Sequence, residues 1–131
     1  MNDTQIQLDR IHLFVAWFTG VSFFLFGLYV LPKWPLMEIQ YRVANILALT
    51  AGPGLIVSHY LTQPSLKFLR PLCRVLLIGA AFYPFDALGF FLMMRIPIGL
   101  KDLVVFGPPF FGLTAYFLFP IFAFIYRKVH S

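Results

Sequence analysis

Charge is scarce in this chain: Asp, Glu, Lys and Arg make up 11% of its 131 residues, against about a quarter in a typical soluble domain. An aqueous globular fold is excluded on that ground, and lipid is the natural solvent. The single cysteine, Cys73, rules out an internal disulfide and Cys-x-x-Cys redox chemistry within one chain, and reads as small apolar packing. Also missing are a glycine-rich phosphate loop, a spaced cluster of metal ligands, a nucleophile elbow and a His-Glu-x-x-His zinc motif. Those absences argue against a hydrolase or an NTP-driven pump. Stretches outside the apolar runs are about ten residues or shorter, too short for a second, soluble domain.

What the chain has instead is apolar and aromatic: 60% and 19% of its residues, with 17 Phe. Four apolar runs stand out, at 11–31, 41–62, 71–94 and 103–126. Each has the roughly 20 residues that a helix needs to cross about 30 Å of hydrocarbon. The expected fold is an all-α, integral membrane four-helix bundle, a single transmembrane domain over 1–131, up-down-up-down because the connections are short. Trp34 and Tyr41 suit an interfacial aromatic belt. The start, Met1 to Arg10, is polar and includes Asp3 and Asp9, and the first run is longer than a signal-peptide core, so the first span is expected to be retained.

The net charge of +5 comes from basic residues set in ones and twos beside the apolar runs, which is how membrane anchors look and not how a nucleic-acid surface looks. Arg10, Lys67, Arg70, Arg74, Arg127 and Lys128 fall on the side of the termini and middle loop, against Lys33, Arg42, Arg95 and Lys101 on the other. That excess predicts cytoplasmic termini, and the lack of a presequence points to a bacterial inner membrane. A diverged duplication is a further possibility in the pattern: a shift of 64 positions pairs Arg10 with Arg74, Leu13 with Leu77 and Ala16 with Ala80.

Asp86 is the sharpest chemical signal, since an ionisable side chain about two turns inside a span must be paired or protonated. It lies nine residues before Arg95, about 13 Å below that edge. It shares a helical face with Gly79, Tyr83 and Phe90, which is therefore expected to point inward. Arg42 enters the second span from the same side and could reach Asp86 by snorkelling. As a site the pair would bind a proton or cation; as structure, Asp86 would be bonded to Arg42, a tyrosine or broken-helix backbone.

His12 and His59 form a second constellation, at one depth near the terminal side of the first and second spans. Two such histidines could ligate a haem iron or bind a quinone oxygen, or could be wetted polar tips. Pro53, Pro84, Pro108, Pro109 and Pro120 leave the carbonyls of Leu49, Ala80, Val104, Val105 and Tyr116 without helical partners, and helix breaks are expected at Pro53, Pro84, Pro108 and Pro109. Gly20, Ser22 and Gly27 permit close helix approach.

The stretch from Arg10 to Gly20, Arg-Ile-His-Leu-Phe-Val-Ala-Trp-Phe-Thr-Gly, resembles the His-containing opening helix of copper-resistance-D and oxygen-independent protoporphyrinogen-oxidase-like membrane proteins. The end, from Val105-Phe-Gly-Pro-Pro-Phe-Phe-Gly to Tyr126-Arg-Lys, is similar to the last helix of small four-helix membrane proteins of unknown function that are related to them. The resemblance covers about a third of the chain and implies a membrane bundle with His12 as the family-type haem or metal histidine. The chain departs from the pattern in its later helices, where Asp86 stands in place of a basic or histidine partner.

Three functions of different class follow as expectations. The first is a non-enzymatic subunit or accessory factor of a larger membrane complex, with a membrane-protein partner or a homo-oligomer around it. The second is a small proton- or ion-coupled transporter using Asp86 and Arg42. The third is a haem- or quinone-binding redox protein using His12 and His59.

Overall fold

A computed structural model describes residues 3–61, 63–97 and 99–130, and these are all helix, turn or coil. Helix α1, Asp3–Val30, runs for 28 residues, about 42 Å. It ends where Pro32 and Pro35 each remove a backbone donor, and the chain tightens into a 3₁₀ segment over Leu31–Leu36. Helix α2, Ile39–Ser58, opens after the extended Glu38, whose carboxylate suits the positive end of the helix. A 3₁₀ turn at Pro64–Leu66 leads to α3, Leu69–Ala80, joined through Ala81 to α4, Phe82–Met93. Helix α5, Leu100–Val129, follows.

The third apolar run is thus interrupted once, at Ala81. Pro84 cannot donate to the Ala80 carbonyl, while bonds from the Ala81 amide to Leu77 (2.9 Å) and from the Phe85 amide to Ala81 (3.1 Å) carry the chain across. The other prolines behave differently: α2 continues as helix through Pro53, and α5 through Pro108, Pro109 and Pro120. One missing bond does not end a helix whose flanking turns are held by packing on both sides. Helix α4 closes on a Schellman arrangement, with the Ile96 amide bonded to Phe91 (2.9 Å) and the Arg95 amide to Leu92 (3.3 Å). Arg95 takes the left-handed position with φ 54°.

The all-helical fold is the expected one, and three segments are long and apolar enough to cross a membrane: Asp3–Leu36, Pro64–Met93 and Leu103–Val129. Helix α2 is long enough at 20 residues but carries Gln40, Arg42 and Asn45 in its first two turns, and is not among the three. Thr62, the end of the second expected span, lies outside the described residues.

Helix α1 is the centre of the packing, with α2 on one side and α5 on another, while α3 lies against α2. The α1–α2 crossing is a backbone contact: a Cβ placed on Gly20 would sit 2.5 Å from the Gly52 carbonyl oxygen, and one on Gly52 would sit 2.7 Å from that of Gly20. Small residues at such a crossing let two backbones approach closely. Around it, Ala16 and Phe23 of α1 meet Ala48, Ala51 and Leu55 of α2, with Leu77 of α3 and Leu113 of α5 completing the core. Helix α4 buries only Pro84 fully, and Phe82, Phe85, Phe90, Phe111 and Phe117 on α4 and α5 stay exposed. An exterior this apolar fits contact with lipid or with other helices.

Candidate functional site

Two groups of polar side chains punctuate the bundle. At the end where α1 begins, tied to the end of α5 by Gln7 with Tyr126 and by Arg127 with Gln5 (3.2 Å), lie both histidines. The His12 and His59 rings meet edge to face, with centroids 4.7 Å apart and planes at 83°. His12 stacks on Phe119 at 4.3 Å and 7°, and on Tyr116 at 5.1 Å. Tyr116 is 2% exposed, and its hydroxyl stands 2.9 Å from His59 Nε2 and 3.4 Å from Arg74 Nε. Since Arg74 only donates, the Tyr116 oxygen accepts from it and has its own proton to give to Nε2, which favours the His59 tautomer protonated at Nδ1.

The histidines, α1 and α2 alone, were readable as neighbours by depth. Tyr116, Arg70 and Arg74 join them only in the fold, although Lys67, Arg70 and Arg74 recur at steps of three and four, the spacing of one helix face. Two adjoining cavities open here. One of about 280 Å³ is lined by Asp9, His12, Leu13, His59 and Arg70. The other, about 470 Å³, is lined by Ser58, Leu61, Leu66, Lys67, Arg70 and Arg74, with Pro71.

This arrangement does not fit a haem held between the two histidines. An axial pair needs its ring nitrogens on opposite faces of a macrocycle, whereas these rings touch each other, His12 is stacked on aromatic planes and His59 Nε2 is engaged by Tyr116. Among the described residues there is also no group of three His, Cys, Asp or Glu side chains placed to hold a metal ion.

The second group centres on Asp86, and it corrects the expected orientation. Gly79, Asp86 and Phe90 are exposed, and of that face only Tyr83 is partly covered. The reason is geometric: α4 buries Pro84, and two residues further on is about 200° round the helix. The carboxylate accepts a hydrogen bond from the Tyr41 hydroxyl. It borders a lateral groove of about 220 Å³ between the start of α2 and the side of α4, lined by Tyr41, Tyr83, Asp86, Ala87, Phe90 and Phe91.

Arg42 does not join it. Its Nη2 donates to the Pro35 carbonyl at 3.4 Å, its guanidinium lies 5.6 Å from the Trp34 ring centre, and its Nε is buried without a partner among the described residues. One position along α2 turns a side chain by about 100°, so Tyr41 and Arg42 cannot face α4 together. Asn45, one turn further on, is 1% exposed, and neither of its amide atoms bonds to a group among the described residues. Pro53, Pro108 and Pro109 lie apart from both groups, in α2 and α5.

Comparison with protein-family models, with curated proteins and with solved structures returned no match.

Proposed function

We propose that this chain is a non-enzymatic subunit of a larger membrane assembly, crossing a bacterial inner membrane four times, α2 included, in up-down-up-down order with cytoplasmic termini. The observation that carries the reading is Asp86: a carboxylate on the outer side of α4, bonded to Tyr41 and to no cation of its own chain among the described residues. An ionised carboxylate facing hydrocarbon costs several kcal/mol. A neighbouring transmembrane helix that brings a Lys or Arg to the same depth removes that cost and gains a charge-assisted bond. The groove beside Asp86, walled by Tyr83, Phe90 and Phe91, offers the aromatic surface against which such a helix packs.

The transport reading has less to stand on, because it needs Arg42 at the carboxylate and Arg42 turns to Pro35 and Trp34. The test is purification in mild detergent with mass spectrometry of what travels with the chain. Wild type is expected to hold a stoichiometric integral-membrane partner, and Asp86→Leu to lose it while keeping its own helix content. A chain that elutes alone from native membranes, or as a homo-oligomer indifferent to Asp86→Leu, sinks the proposal. Proton flux in liposomes abolished by Asp86→Asn would favour transport instead.

A further inference from the structure

Among the described residues, the three cations of the larger cavity are paired with no anion. Lys67, Arg70 and Arg74 line its wall, and among the described residues none of them bonds to a carboxylate. An acidic residue, Asp9, lines the adjoining cavity with Arg70 and accepts from Gln5 Nε2 at 2.9 Å. Arg74 donates its Nε to Tyr116 at 3.4 Å. The opening turn of α3, Leu69–Ala80, adds the positive end of its helix dipole. Positive potential is thus concentrated at one end of the bundle, where α2 ends and α3 starts.

The rest of the wall is apolar: Leu61, Leu66 and Pro71. A cavity that is cationic on one side and greasy on the other, at the ends of helices in a membrane bundle, has the two-part chemistry of a phospholipid at headgroup depth.

We infer that this cavity holds the phosphate group of an anionic membrane lipid, with Lys67, Arg70 and Arg74 around the phosphate oxygens and Leu61 and Leu66 against the first part of its chains. Arginine suits the role because its planar fork grips two phosphate oxygens at once. Tyr116, whose hydroxyl also bonds to His59, accepts from Arg74 and helps to position it. The site rests on residence in a bilayer and is independent of the assembly reading, since it lies at the opposite end from Asp86.

The experiment is native mass spectrometry and lipid titration of the full chain, with phosphatidylglycerol against phosphatidylcholine as probes. Retention of phosphatidylglycerol well above phosphatidylcholine is expected. Each surface cation contributes about fivefold to the binding of an anionic lipid, so Lys67→Gln with Arg70→Gln, which spares Arg74 and its bond to Tyr116, should weaken phosphatidylglycerol roughly 30-fold. Lys33→Gln with Arg95→Gln, two basic residues removed elsewhere, should leave it unchanged, and so should Asp86→Leu. Equal binding of the two lipids, or the same loss in both double variants, would overturn the site. Inorganic phosphate that binds alone and displaces the lipid mole for mole would overturn the lipid assignment in favour of a free phosphate anion.

Discussion

A methyl group added at Gly20 would lie 2.5 Å from the Gly52 carbonyl oxygen and 2.6 Å from Ile56 Cγ1, where ordinary contact begins near 3.4 Å. Ile56 can swing aside, but the carbonyl is backbone, so α1 and α2 must part by close to an ångström along the line of contact. Overpacking of a tight interface costs about 1–3 kcal/mol, and a backbone-on-backbone clash belongs at the upper end. Against it stands the helix propensity that alanine gains over glycine, about 1 kcal/mol. The net expectation for Gly20→Ala is a loss of about 1–2 kcal/mol.

Gly89 on α4 is the internal control, because a Cβ there meets nothing within 4 Å. Only the propensity gain operates, and Gly89→Ala should stabilise by about 0.5–1 kcal/mol. The two substitutions are chemically identical and differ only in what faces them. Unfolding in mixed detergent and SDS micelles, followed by helix circular dichroism, gives both values on one scale. If both variants shift stability in the same direction by the same amount, the α1–α2 crossing does not run through Gly20 and Gly52.

Two further substitutions probe the ends of the bundle. Tyr116→Phe keeps the stack on His12 but removes the hydroxyl that serves the half-buried His59 and Arg74; it should cost about 0.5–1.5 kcal/mol through the lost hydrogen bonds, and a loss no greater than that of the exposed Tyr29→Phe, measured by the same unfolding, would contradict the network. Arg95→Gly relieves a left-handed residue at the α4 terminus and should stabilise by about 0.5–1 kcal/mol, so destabilisation there would mean that the arginine side chain contributes more than its backbone strain removes.

The sequence by itself determined how much of this chain is helix and where along it the chemistry sits. Apolar run length requires helices wherever lipid is the solvent, because backbone groups there must bond within their own segment. Proline chemistry placed an interruption beside Pro84, and a count of 1.5 Å per residue set His12 and His59 at one depth. What a linear pattern cannot carry is rotation about each helix axis. Asp86 turned outward because Pro84 packs inward, and Tyr41 took the place expected of Arg42 because one residue is 100° of turn. The prolines of α2 and α5 left their helices unbroken because neighbouring turns held them. Only the tertiary structure brought Tyr116 from α5 and the cations around α3 to the histidines, since azimuth is set by where helices cross, and that is set by close contacts such as Gly20 on Gly52.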